Sequence, residues 1–142
     1  MSDLFAHQQR FLALNPKKYL LAHEMGTGKT KSALLWALTK HPTLIICPKP
    51  LKQHWLRNAT AEKLKVFEIL TKEEFKKQHK TLATFKSVIV DESHYFSNYR
   101  SQCAKALNWY FKKHNTEYRL FLTATPYLSS PFNIFPSRLT RP

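Results

Sequence analysis

The residues with the plainest chemical potential lie at positions 23 to 30, His23-Glu24-Met25-Gly26-Thr27-Gly28-Lys29-Thr30. Gly26 and Gly28 let the backbone turn tightly after the apolar run Tyr19-Leu20-Leu21-Ala22. Consecutive N–H groups can then converge on phosphate oxygens at the start of the next helix. Lys29 is placed to reach β- and γ-phosphates, and the Thr30 hydroxyl to ligate Mg²⁺. Taken alone, GTGKT could also be an ordinary helix N-terminus. The strand-like run before it and the amphipathic run from Lys31 to Leu38 after it favour the phosphate reading. The chain has 2 glycines, and both are in this loop.

A second segment supplies what a phosphate cradle lacks. Ser87 to Val90 is short, apolar and β-branched and runs into Asp91-Glu92, so two carboxylates stand at the C-terminal end of an expected buried strand. Ligands of open α/β sheets bind at that edge. Asp91 can hold Mg²⁺ through its water shell, and Glu92 can polarise an attacking water. An isolated Asp-Glu pair is ordinarily a solvated turn; about sixty residues after a phosphate loop, it reads as the catalytic pair. A third segment, Arg119 to Leu122 followed by Thr123-Ala124-Thr125-Pro126, is another strand leading into a hydroxyl-bearing turn.

These groups need a frame, and hydrophobic periodicity outlines one. Helices are predicted at 4 to 14, 29 to 40, 50 to 60, 71 to 79 and 98 to 113, and strands at 18 to 22, 43 to 47, 65 to 70, 87 to 91 and 118 to 122. In the last helix Tyr99, Cys103, Ala106, Leu107 and Tyr110 recur at three- and four-residue steps, giving one apolar stripe. Strands alternating with helices imply an α/β fold with a mostly parallel sheet covered on both faces.

In this order and spacing, the three segments resemble the first RecA-like lobe of superfamily 2 DExH helicases and translocases, in particular the Swi/Snf-like branch. Glu24-Met25-Gly26 before the lysine loop is the Swi/Snf-like form of motif I, a P-loop or Walker A segment. Leu4-Phe5-Ala6-His7-Gln8 resembles the family's glutamine motif, and Thr43 to Trp55 resembles motif Ia. His23, where the full Walker pattern has Gly, and Ser93, where many relatives have Ala, depart from the family.

The resemblance implies a RecA-like P-loop NTPase lobe over residues 1–135, a C-terminal tail over 136–142, and no second helicase lobe. It assigns Gln8 to adenine, and Gly26, Thr27, Gly28, Lys29 and Thr30 to the phosphates of ATP. Thr30 and Asp91 fall to Mg²⁺, and Glu92, Lys29 and Asp91 to catalysis. His94, Thr123 and Thr125 couple nucleotide to track, and Lys49 and Lys52 meet the nucleic-acid backbone. The implied function is an ATP-binding lobe of a nucleic-acid-dependent ATPase, a helicase or double-strand DNA translocase, with little activity until a second lobe joins in trans or from a longer protein. The alternatives are a non-catalytic nucleic-acid-binding or regulatory lobe, half of a split motor, and, more distantly, a small-molecule phosphotransferase.

Composition agrees with a polyanionic partner. Twenty-three Lys and Arg against 9 Asp and Glu give +14 in 142 residues. That balance in one small domain points to nucleic acid bound mainly through phosphates, and the resemblance implies DNA before RNA. Thr71 to Lys80 reads as a polar helix with lysines facing water, and Lys105, Lys112 and Lys113 lie on the helix after the acidic segment with no assigned role. Aside from His94, the histidines read as surface or packing residues, and apolar packing accounts for Trp55 as well as base stacking does. Cys47 and Cys103 lack the spacing of a zinc site or disulfide framework. With no apolar run approaching about 18 residues and no charged apolar leader, the expected setting is a reducing cytoplasmic or nuclear compartment, without membrane or secretion.

Overall fold

The computed structural model of the chain describes residues 6–22, 29–91 and 102–123. Five strands, β1 (Lys18–Ala22), β2 (Thr43–Cys47), β3 (Phe67–Thr71), β4 (Ser87–Val90) and β5 (Tyr118–Thr123), alternate with five helices. The helices are α1 (Ala6–Leu14), α2 (Lys29–Ala37), α3 (Lys52–Ala61), α4 (Lys72–Gln78) and α5 (Gln102–His114). All strand pairings are parallel, in the order β1-β5-β4-β2-β3. The α/β class and the position of every strand agree with the periodicity. Boundaries shift by a few residues, and a 3₁₀ turn at Lys49–Leu51 precedes α3 where the pattern suggested continuous helix from 50.

Two-residue alternation sorts the core into two layers. Ile45, Cys47, Ile89, Leu120 and Leu122 face α1, α2 and α3, where they meet Phe11, Leu34, Trp36, Trp55 and Ala59. Leu44, Ile46, Val88, Val90 and Phe121 face α4 and α5, packing on Phe75, Leu107, Tyr110 and Phe111. Strands β2 and β4 are buried along their whole length, as a sheet covered on both faces requires. The α5 stripe is Ala104, Ala106, Leu107, Tyr110 and Phe111; Cys103 is half-buried at its margin, and Tyr99 lies outside the described residues.

Local signals set several ends. Thr71 closes β3 and caps α4 in a capping box: its hydroxyl accepts from the Glu74 N–H at 3.1 Å, and Glu74 Oε1 accepts from the Thr71 N–H at 2.8 Å. Left-handed backbone after helices ordinarily selects glycine, but here Asn15 (φ 47°), Lys63 (φ 63°) and Asn115 (φ 50°) take those positions.

Candidate functional site

The phosphate-loop strand, the TAT strand and the acidic strand are β1, β5 and β4, three successive strands of the sheet. Ala22 at the end of β1 is in register with Thr123 at the end of β5. β4 delivers Asp91 one residue past its last ladder position, where the Asp91 N–H still donates to Ile46 O at 2.8 Å. Lys29 opens α2, so Thr30 stands in its first turn. Parallel pairing thus brings Ala22, Thr123 and Asp91 to one edge of the sheet.

Helix α3 crosses this edge and touches both proposed metal ligands. The indole N–H of Trp55 donates to Asp91 Oδ2 at 2.8 Å, with Trp55 0% and Asp91 4% exposed. A buried indole needs an acceptor, and a buried carboxylate needs donors, so each satisfies the other. The preceding residue, His54, places Nε2 3.5 Å from the Thr30 hydroxyl, at the outer limit of a hydrogen bond. The Asn58 amide donates to His54 O at 2.7 Å and lies 3.3 Å from His54 Nδ1. An amide that donates to Nδ1 leaves the ring hydrogen on Nε2, directed at Thr30. Lys31 on α2 meets Glu62, which caps α3, at 3.0 Å, a second tie between the two helices.

The anionic edge is felt next door. Burial foremost, and then the Asp91 charge, push the Cys47 thiol up to about 12. Cys47 therefore stays protonated and behaves as a small apolar residue of the core.

No family model matches the chain. A solved Sulfolobus solfataricus SWI2/SNF2 ATPase core in complex with dsDNA superposes with TM-score 0.73 at 20% identity, covering 94% of this chain and 35% of that one. The Pyrococcus furiosus Hef helicase domain gives TM-score 0.63 at 18% identity, covering 91% of this chain and 34% of that one. The fold is that of a RecA-like helicase lobe. In sequence, the lobe is 27% identical over 141 residues to the SWI/SNF-related matrix-associated actin-dependent regulator of chromatin subfamily A-like protein 1 of Xenopus tropicalis. That match covers 83% of this chain and 15% of the relative. The resemblance to the Swi/Snf-like branch of superfamily 2 thus holds in sequence and in fold.

The other expected site residues distribute around the lobe as follows. Gln8 is buried on α1, which packs against α2. Lys49 is exposed in the 3₁₀ turn. Lys52, expected to meet a nucleic-acid backbone, is 2.8 Å from Glu74 Oε1 in an ion pair. The two lysines line a groove of about 560 Å³ between Pro48–Lys52 and Thr71–Glu74. Gly26, Thr27, Gly28, Glu92, His94 and Thr125 lie outside the described residues.

Two residues gain roles that the sequence did not suggest. His54 was expected at the surface or in packing, yet it reaches Thr30; Trp55 does pack, but its N–H also holds Asp91. The available signal was the indole itself, since a tryptophan expected in the core must find an acceptor for its N–H. Which acceptor depends on how α3 docks, and no local pattern encodes that.

Proposed function

We propose that the lobe binds Mg-ATP at the edge formed by the ends of β1, β5 and β4, and that it is the N-terminal half of a DNA-dependent ATPase motor. The observation that carries this reading is the bracing of Thr30 and Asp91, from two separate strand–loop units, by adjacent residues of α3. A hydroxyl and a carboxylate are hard oxygen donors, the set that suits Mg²⁺. Bound there, Mg²⁺ would neutralise charge on the transferring phosphoryl group.

In this reading the N–H groups of Gly26, Thr27 and Gly28 cradle phosphate, Lys29 contacts the β- and γ-phosphates, and Gln8 reads adenine. Glu92 takes the proton of the attacking water, next to Asp91, whose carboxylate is fixed by Trp55. His94, Thr123 and Thr125 relay the nucleotide state to the track, met first at Lys49. Lys52 starts from its pair with Glu74, so contact with a phosphate would exchange one anion for another. The relatives are about three to six times longer, which supports a second RecA-like lobe, in trans or elsewhere in a longer protein, that completes the site. Both cysteines are free, which suits a reducing compartment. Among the described residues, no helix is long and apolar enough to cross a membrane.

The test is Mg-ATP binding and hydrolysis by wild type, Lys29→Ala and Glu92→Gln, with and without double-stranded DNA. The expected pattern is no nucleotide binding by Lys29→Ala, and binding without turnover by Glu92→Gln. Equal binding by wild type and Lys29→Ala would overturn the proposal. Binding by wild type without turnover would identify a half-site waiting for its second lobe.

A further inference from the structure

The outer surface between α4 and α5 carries a groove of about 400 Å³, lined by Lys76, His79, Lys80, Gln102, Lys105 and Trp109. It lies on the layer opposite α3 and at the C-terminal end of α4, whereas the groove at the Lys49 turn adjoins the first turn of α4. Its lining includes no carboxylate, and none of its three lysines is in an ion pair among the described residues. Lys112 and Lys113, both exposed, continue the cationic strip one turn along α5 beyond Trp109.

Trp109 is the unexpected member. The other two tryptophans are buried, and each has an acceptor for its N–H, Pro16 O for Trp36 and Asp91 for Trp55. Trp109 is instead 37% exposed, outside the set through which α5 packs on the sheet. Its ring stands edge-on to His79, with centroids 5.3 Å apart and planes at 84°. His79 is itself fixed, because its Nδ1 can only donate to Lys76 O, at 2.8 Å. An aromatic held rigidly at the surface among cations offers a flat apolar platform at little cost in ordering.

We infer that this groove binds single-stranded nucleic acid, with a base stacked on Trp109 and the flanking phosphates on Lys76, Lys80 and Lys105. An acidic peptide would satisfy the lysines but leave the indole without a matching plane. A duplex would keep its bases stacked on one another, whereas a single strand satisfies both features. The inference shares with the proposed function only the premise of a nucleic-acid partner, and it does not require ATP.

The test is titration of the whole chain with a short oligothymidylate, an equal-length duplex and a polyglutamate peptide, reading intrinsic tryptophan fluorescence and the anisotropy of labelled ligand. With two tryptophans buried, quenching by the single strand should come from Trp109 and vanish in Trp109→Leu. The triple variant Lys76→Gln/Lys80→Gln/Lys105→Gln should bind the strand at least roughly tenfold more weakly and lower the salt slope by about two. Lys29→Ala should leave this binding unchanged, which separates the groove from the nucleotide site. Circular dichroism would check that the variants, altered only at surface positions, keep the fold. Undiminished binding by the triple variant, quenching that survives Trp109→Leu, or equal response to polyglutamate would each overturn the inference. A single strand that leaves Trp109 silent while duplex binding is lost in Lys49→Glu would overturn it too, and would leave the proposed function standing.

Discussion

At the N-terminal ends of the strands the lobe buries a cation, Lys40; at the C-terminal ends it buries an anion, Asp91. The Lys40 ammonium donates to Asn15 Oδ1 at 2.6 Å and to Trp36 O at 2.8 Å, and it lies 5.0 Å and 5.5 Å from the centroids of the Trp36 and Tyr118 rings. The Lys40 carbonyl accepts from Ser87 Oγ, which is also bonded to the Thr43 hydroxyl, so β2 and β4 start from one polar knot. Among the described residues Lys40 has no carboxylate partner; carbonyls and ring faces solvate it instead. Asp91 is treated differently, because the neutral indole N–H of Trp55 orients its carboxylate. One end of the sheet encloses its charge for architecture. The other holds its charge at the edge where β1, β4 and β5 end.

The comparison breaks most visibly at Asp91. Asp91→Asn keeps an acceptor for Trp55, so thermal stability should change little, while Mg-dependent nucleotide binding should weaken by roughly a hundredfold or more in calorimetric titration. A large loss of stability with unaltered nucleotide affinity would make Asp91 as architectural as Lys40.

Lys40→Met should do the reverse, leaving nucleotide affinity alone and costing about 1 to 3 kcal/mol in urea unfolding, since two charge-assisted hydrogen bonds disappear. The pH dependence gives a sharper readout. Burial first, and then Lys86, lower the Lys40 pKa, so the folded state holds this proton less tightly than the unfolded chain, whose ordinary value is 10.5. Stability is therefore gained as pH rises from the depressed value toward 10.5, and is missing below it. The wild-type advantage over Lys40→Met should grow across that window.

Trp55→Phe keeps most of the buried ring but removes the donor to Asp91. The Mg²⁺ concentration needed for nucleotide binding should rise roughly tenfold, the usual scale for losing a group that orients a metal ligand. An unchanged Mg²⁺ requirement would reduce Trp55 to packing.

The smallest effect belongs to Glu74, at the same end of the sheet but only half-buried. The hydrogen bond from Lys52, and next that from the Thr71 N–H, hold its pKa below the ordinary 4.5. Its contribution is present above 4.5 and is lost as pH falls through the depressed value. Glu74→Gln preserves the cap but not the charge, so its unfolding midpoint should trail wild type slightly at neutral pH and meet it in acid.

Much of this was legible in the chain because the signals are local. The β-branched run at Ser87–Val90, the polar helix after Thr71 and the alternation of strand and helix each act over a few residues, and each reappears in the fold. Asp91 was legible as a carboxylate at a strand end. Its partner was not, since Trp55 is thirty-six positions away and meets it only after α3 docks. The pairing of Lys52 with Glu74 was missed for the same reason: it joins the first turns of α3 and α4, which only the β2–β3 register brings side by side. Lys40 closed the helix predicted at 29 to 40, and nothing near it in the chain predicts the rings of Trp36 and Tyr118.

None of the residues described in the structure is glycine. The helix ends that turn left-handed do so on Asn15, Lys63 and Asn115, whose side chains narrow the range of shapes open to the chain before it folds. Each such position spares the fold roughly 0.5 to 1 kcal/mol of backbone disorder that a glycine would have to surrender, offset in part by strain where the residue is lysine. The freedom of glycine is confined to Gly26 and Gly28, beside the site proposed for phosphate.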